Sequence, residues 1–235
     1  MPDDEQRKGS GQNDGAERRR GFLGFVAHEV RNPLSTALWS AELLGRISAE
    51  ERGGARGEKL SAMCLRSIAR VRQLVEDHFM CERLDAGGIA VRADPVPVRE
   101  VAEAATEKRA ADVGEVAIDV EAAVQLSADR ILLERAIEAL VATAGREGAA
   151  VRIACEPAGD RVALVVSGKP PESPTLEDPA KGSPSEPRGR ALALPLVRRI
   201  AGALGGTLSL SGGRYILTLP RPEHDVARRD PSAHP

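Results

Sequence analysis

Two stretches of this chain, residues 21–47 and about 58–84, repeat apolar side chains at helical spacing, and a glycine-broken segment separates them. In the first, Phe22, Val26, Val30, Leu34, Leu38, Ala41 and Leu44 recur every three or four positions and line one side of a helix. In the second, Leu60, Cys64, Ile68, Val71, Val75 and Phe79 do the same. Between them, Gly53, Gly54 and Gly57 interrupt the pattern. Two long helices with a short connection form an antiparallel hairpin. One hairpin does not bury an apolar stripe on both helices, whereas two copies packed as a four-helix bundle do. The pattern therefore predicts a homodimer. The alternative is a hairpin packed on the rest of its own chain.

The composition changes at Asp85–Gly88. Beyond it the chain reads as a strand at about 89–93, a helix at about 98–112 and a strand at 115–120. Asp129 then caps a helix running to about 146, with Ile131, Leu132, Arg135, Ala136 and Leu140 in its repeat. Strands at 150–156 and 161–167 flank the turn PAGD as a hairpin. Residues 168–189 hold six prolines and four serines or threonines, and read as a mobile loop. A helix at about 190–204 stops at Gly205–Gly206, and strands at 207–211 and 214–219 follow. The fold class is α+β: a helical hairpin forming a dimeric four-helix bundle, then an α/β-sandwich domain. The expected division is a disordered 1–20, the hairpin at 21–85, the α+β domain at 86–220 and a disordered tail at 221–235.

Bulk properties exclude several classes. The net charge is −2 and the 33 basic residues are dispersed, which argues against a nucleic-acid partner. Aromatics are 2% against 42% apolar residues, so the core is aliphatic. Cys64, Cys81 and Cys155 form no C-x-x-C pair, and suggest neither a metal site nor a redox motif. An odd cysteine count without a signal peptide fits a reducing cytoplasm. The longest apolar run, ALALPLV at 191–197, is far short of the ~20 residues that span a bilayer, so no membrane is expected as a partner.

The chemistry-bearing stretch is FVAHEVRNPLS at 25–35. His28 shares its outward helical face with Arg31 and Asn32. A histidine that attacks phosphorus needs one ring nitrogen unprotonated and exposed, with the other held by an acceptor. Glu29 is the adjacent candidate acceptor or base, and Asn32 could orient a hydrolytic water. Pro33 has no N–H, so the Glu29 carbonyl loses its helical partner. A bend or loosening is expected just past the histidine, at a cost of roughly 3 kcal/mol unless neighbours compensate. Alone, His28 would read as a surface histidine on a kinked helix; its neighbours change that. His78 reads as a core or surface residue, and His224 and His234 as inert tail residues. Arg198 and Arg199 read as a solvated helix face. Trp39 is expected in or beside the bundle, although an exposed position would mark a partner surface.

The stretch F-x-x-H-E-V-R-N-P-L resembles the phosphoacceptor box of two-component histidine kinases of the HisKA type. The resemblance implies that His28 is the phosphorylated residue, that Glu29 assists as base and that Asn32 is of the type some members use to place the hydrolytic water. Arg31 and Pro33 also match the box. Residues 86–220 have the layout of the ATPase-type domain that follows in such kinases, ending in LVRRIAGALGGTLSL.

The resemblance also implies a nucleotide site, and here the chain departs from the family. That site uses asparagines on the long helix for the metal, an aspartate in a D-x-G-x-G turn for adenine and a G-x-G-L-G-L stretch by the phosphates. The asparagine positions fall on Ala139 and Thr143, and the whole chain has only Asn13 and Asn32. In LVVSGKPPE the aspartate position falls on Val166 or Ser167, with Gly168 kept. In GRALAL, Gly189 is kept while Ala191 and Ala193 replace glycines, and each methyl hinders backbone approach to a phosphate. Losing a buried hydrogen-bonded group costs about 1–3 kcal/mol. Three such losses weaken binding by roughly two to six orders of magnitude.

The expectation is therefore a histidine phosphotransferase of a bacterial phosphorelay, exchanging phosphoryl groups between His28 and response-regulator receiver aspartates. No cofactor or metal is expected to bind strongly to this chain, because the receiver partner supplies the magnesium. Two alternatives stay open. One is an active cytoplasmic sensor histidine kinase with an atypical ATP site. The other is a non-catalytic pseudokinase or phosphatase module.

Overall fold

The structure, a computed structural model of the 235-residue chain, describes residues 24, 26–27, 29–108, 113–169 and 192–222. The terminal segments expected to be disordered and the proline-rich loop lie almost wholly outside the described residues. The chain divides into two compact units: the first ends at Ala86 and also takes in the described residues 192–196, and the second holds the described residues 87–169 and 197–222.

The first unit is helical. Helix α1 runs through 29–46, α2 spans Ala49–Arg52 and α3 spans Ala55–Asp85. The connection is more ordered than its glycines suggest. Ser48 and Glu51 form a capping box: the Glu51 N–H donates to Ser48 Oγ at 3.1 Å, and the Ser48 N–H donates to Glu51 Oε2 at 3.2 Å. The Ser48 N–H, followed by Arg56, holds the Glu51 carboxyl below the usual range. The Arg52 guanidinium donates to the Ile47 carbonyl at 3.1 Å and ties α2 to the end of α1. Gly57 is required at the start of α3, where a Cβ would lie 2.0 Å from the Arg52 carbonyl oxygen.

The packed stripe of this unit differs from the most apolar stripe of the sequence. On α1 the buried positions are Val26, Glu29, Ala37, Ser40 and Ile47; on α3 they include Leu60, Leu74, Asp77 and Cys81. The two polar α1 members and Asp77 occupy the packed side. Ser40 Oγ donates to the Thr36 carbonyl at 2.7 Å, and the Gln73 amide donates to Asp77 Oδ1 at 3.0 Å.

The second unit contains a five-stranded sheet of order β2-β4-β5-β7-β6 and a two-stranded ribbon of β1 and β3. The strands are β1 Asp94–Pro97, β2 Val116–Asp119, β3 Gln125–Ala128, β4 Val151–Ala158, β5 Arg161–Ser167, β6 Thr207–Ser211 and β7 Arg214–Pro220. Among the described residues, only β2 and β4 pair in parallel, with Val116 opposite Val151. Tight antiparallel hairpins join β4 to β5 and β6 to β7, turning through Gly159 (φ 67°) and through Gly212 and Gly213 (φ 56° and 77°). The first strand lies at 94–97 and not at 89–93, and β3 was not anticipated. Both belong to the ribbon, where Pro95 and Pro97 are tolerated because an edge strand needs few N–H donors.

Helices α4 (Val98–Glu107), α5 (Arg130–Ala144) and α6 (Ala193–Ala203) complete the fold. The core is aliphatic, as the composition requires. Val101, Ala105, Leu133, Ile137 and Leu140 from the helices are fully buried, as are Ile153, Leu164, Val166, Leu217 and the lone Tyr215 from the sheet. Burial raises the Tyr215 hydroxyl above its ordinary value. The α6 stop is as expected: Gly205 has φ 70° and the Gly206 N–H donates back to the Ala201 carbonyl at 2.7 Å.

Asp129 caps α5 as the sequence predicts. Its Oδ1 accepts from the N–H groups of Ile131 at 3.0 Å and Leu132 at 3.2 Å, while Oδ2 accepts from the Arg92 N–H at 3.3 Å. Asp129→Ala should lower stability by about 1–2 kcal/mol in urea unfolding of the full chain, and Asp129→Asn by less.

Candidate functional site

The phosphoacceptor stretch lies on α1. His28 itself lies outside the described residues, as does Phe25. Around it the helix sorts the neighbouring residues by side. Glu29 is 2% exposed and sits on the packed side. Arg31 and Asn32 are exposed, and Pro33 is half-buried. Thus Asn32 has the open position its proposed chemistry needs, whereas the Glu29 carboxylate faces the interior. The helix passes through Pro33 without interruption. Just beyond it, Thr36 Oγ1 donates to the Asn32 carbonyl at 3.1 Å, so hydroxyl groups take up carbonyl acceptors around the proline.

The same helix leaves a second stripe open. Leu34 and Leu38 are 46% and 58% exposed. On α3, Leu65, Ile68, Val75 and Phe79 are also exposed, at spacings of three, seven and four residues. At about 100° per residue, each open stripe lies a little over a third of a turn from the packed stripe of its own helix, in the same rotational sense. In an antiparallel pair that sense brings both open stripes to one side of the hairpin. Periodicity alone merged these residues with the packed ones; what distinguishes them is the second, partly polar stripe through Glu29 and Ser40. Trp39 is 56% exposed and belongs to neither stripe. His78 is half-buried, with its ring centroid 5.8 Å from that of Phe79. Arg198 is exposed and Arg199 half-buried. His224 and His234 lie outside the described residues.

In the second unit, the structure gathers part of the expected nucleotide-site set. Ala139 and Thr143 lie one turn apart on α5 and are 5% and 4% exposed. Thr143 Oγ1 donates to the Ala139 carbonyl at 2.7 Å, so its proton is held within its own helix. Ser167 ends β5 in a half-buried position, followed by Gly168. The end of β5 is fastened to the end of α5: the Lys169 N–H donates to the Ala144 carbonyl at 2.8 Å. Tyr215 adds a hydroxyl contact to the Lys169 carbonyl at 3.5 Å. The Lys169 side chain pairs with Glu147, the one non-glycine residue with a left-handed backbone among the described residues. Ala139, Thr143, Ser167 and Gly168 are thereby held around the α5–β5 junction. Ala193 is the first residue of α6 and half-buried, while Gly189 and Ala191 lie outside the described residues.

The charges nearby form a compensated set. Lys108 pairs with Glu134 and, at 3.3 Å, with Glu138, which also accepts from Arg135 at 2.8 Å. The hydrogen bonds that Lys108 donates to Glu134 and then Glu138 raise its ammonium above its ordinary value. Glu138 is buried beside the Ala139 position, a feature the apolar rhythm of the helix did not signal. Among the described residues, no group of three His, Cys, Asp or Glu side chains is arranged to hold a metal ion. Among the same residues, no helix is long and apolar enough to cross a membrane.

Comparison with known proteins agrees with this arrangement. Residues 18–87 match the His Kinase A (phospho-acceptor) domain. The solved structure of the Acinetobacter baumannii histidine kinase AdeS is similar with a TM-score of 0.57 and 21% identity, over 81% of this chain and 95% of that one. Full-length ShkA in complex with AMPPNP gives a TM-score of 0.53 and 22% identity, over 84% of this chain and 45% of that one. These likenesses are of fold: a helical phosphoacceptor region followed by a mixed-sheet domain of the ATPase type. No curated protein sequence matches the chain. Residues 18–87 are thus similar to the phosphoacceptor domain of histidine kinases, and the chain shares its fold with solved histidine kinase structures.

Gly168 tests the junction directly. A Cβ there would lie 2.6 Å from the Ala144 carbonyl oxygen and 2.8 Å from its Cβ. Gly168→Ala should therefore destabilise the chain by about 1–3 kcal/mol in urea unfolding.

Proposed function

We propose that this chain is a histidine phosphotransferase of a bacterial two-component phosphorelay. In this reading His28 accepts a phosphoryl group from a receiver aspartate and donates it to another. A ring nitrogen attacks phosphorus, the bond between phosphorus and the carboxylate oxygen breaks, and the aspartate leaves as a carboxylate; donation is the reverse. The receiver supplies magnesium, and catalysis rests on positioning. Asn32 places a water when the phosphohistidine is hydrolysed, whereas the Glu29 carboxylate, the expected base, is turned to the packed side of α1.

The observation that carries this reading is the α5 face. A magnesium–nucleotide site needs hard oxygen donors. The two positions where the family presents asparagine carry a methyl group and a threonine whose proton is held by the Ala139 carbonyl. Ser167 and Gly168 stand where an adenine-reading aspartate is expected, and Ala191 and Ala193 add methyl groups to the phosphate stretch. The ATPase-type domain then serves as a structural or docking platform.

A second reading is an active histidine kinase with an atypical ATP site. It is favoured by the fold shared with kinases, one of which, ShkA, is described in complex with AMPPNP. Calorimetry of the full chain with MgAMPPNP separates the two. No measurable heat at millimolar nucleotide, together with His28-dependent labelling from a phosphorylated receiver, supports the phosphotransferase. Micromolar binding with labelling of His28 from ATP would make it a kinase.

The open stripes of α1 and α3 support a homodimer through the hairpin. Leu38→Glu or Ile68→Glu should convert the dimer to a monomer in light scattering, with helix content largely retained. Arg31→Ala should leave the mass unchanged.

A further inference from the structure

We infer that the free edge of strand β6 pairs with the β6 edge of a second copy of this chain, as a second contact that joins hairpin dimers to one another. This contact is independent of the phosphotransfer reading and adds to the proposed homodimer. The five-stranded sheet ends at β2 on one side and at β6 on the other. An open strand edge is a template for another strand, and proteins block such edges with charge, proline or a bulge. Strand β2 carries Asp119, which is paired with Arg152. Strand β6 reads TLSLS, with no charge and no proline. Its register to β7 runs unbroken from Thr207 opposite Thr218 to Ser211 opposite Arg214. Among the described residues, β7 is its one neighbouring strand.

The residues of β6 identify the occupant. Gly212 and Gly213, with φ 56° and 77°, form a two-residue hairpin turn, so Ser211 and Arg214 exchange both main-chain hydrogen bonds. Ser209 and Thr207 then also bond inward to β7, and the N–H and C=O groups of Leu208 and Leu210 point out from the edge. Two β6 strands running antiparallel about a two-fold at Ser209 set Leu208 of one copy opposite Leu210 of the other, with these outward groups in register. Thr207 meets Ser211, and Ser209 meets itself. The faces match as well. Leu208 is buried and Leu210 half-buried on the core face, while Thr207, Ser209 and Ser211 are exposed on the other. Leucine thus meets leucine and hydroxyl meets hydroxyl, with no charge at the seam. An edge of about 17 Å buries well under the roughly 1,000 Å² of a stable interface. The pairing is therefore reversible and does not replace the hairpin dimer. Each chain then carries two different two-folds, and paired edges join hairpin dimers into tetramers and longer chains as concentration rises.

The test uses the full chain, by sedimentation over a range of concentrations and by cysteine cross-linking. The wild type should form species heavier than the hairpin dimer as concentration rises. Ser209→Lys and Ser209→Glu each set like charges opposite one another at the two-fold, and should lower the heavier fraction by about 3- to 10-fold with the dimer mass intact. An equimolar mixture of the two variants should restore it. Ser209→Cys should cross-link two copies on mild oxidation beyond the wild-type level, because a non-hydrogen-bonded antiparallel pair brings Cα atoms to about 4.5 Å. Ser211→Cys should not, since it lies about 14 Å from its equivalent in the second copy. Cross-linking of Ser209→Cys no greater than that of the wild type or of Ser211→Cys would overturn the pairing and leave the hairpin dimer standing. A dimer lost in Ser209→Lys and kept in Leu38→Glu would uphold the pairing and overturn the hairpin dimer.

Discussion

A pair of helices encloses one stripe of each, and this limit organises the first unit. The chain carries two stripes on each helix of the hairpin. The enclosed one uses small and polar residues, Ala37, Ser40 and Glu29, with aliphatic contacts at Val26, Ile47, Leu60 and Leu74. The open one is more apolar per residue, through Leu34, Leu38, Leu65, Ile68 and Phe79. Leaving five such side chains in water forgoes on the order of 1.5–3 kcal/mol each. In the proposed homodimer, the second copy recovers that free energy. A third side of α1 carries Asn32 and Trp39, both exposed. In the proposed reading, phosphotransfer and dimerisation use different sides of one helix.

The second unit is constrained differently. With 2% aromatic residues in the chain, its core is filled by leucine, valine, isoleucine and alanine. The α5 face follows the same economy. Ala139 requires no partner, and Thr143 satisfies its own donor, so neither position leaves a buried polar group in need of a ligand. Gly168 is retained for a packing reason: the end of β5 approaches the Ala144 carbonyl too closely for a side chain. Gly168 thus meets a packing requirement that is independent of any ligand.

What the sequence made legible follows from the range of the interactions involved. Local chemistry was readable. The Asp129 cap, the glycine stop at Gly205–Gly206 and the β4–β5 hairpin each depend on residues a few positions apart, and each is found where expected. The capping box at Ser48 and Glu51 was equally local but was hidden by the three glycines around it. Non-local pairing was not readable. Strand β3 has one buried apolar side chain, Leu126, besides Ala128, and exists because β1 lies opposite it. The choice between the two hairpin stripes was also out of reach, since periodicity finds apolar positions without saying which of them meets its own chain. The phosphoacceptor box was legible as a string of residue types, whereas the burial of Glu29 depends on how α1 is packed.

These differences in range bear on why the two halves of a kinase fold can change independently. Accepting a phosphoryl group asks for one imidazole on one open helical face, and the partner brings the metal and the leaving carboxylate. Binding nucleotide asks for side chains from α5, the end of β5 and the start of α6 to converge with the right polar atoms. Loss at any of these positions weakens the whole site, because each leaves a bound phosphate, metal or base without a partner. Once one is lost, the others are held only by packing. The remaining fold still presents a stable sheet and helices, which suits a domain retained for its surface. In the proposed reading, the conserved chemistry is the part a single helix can carry, and the altered chemistry is the part that required three elements to agree.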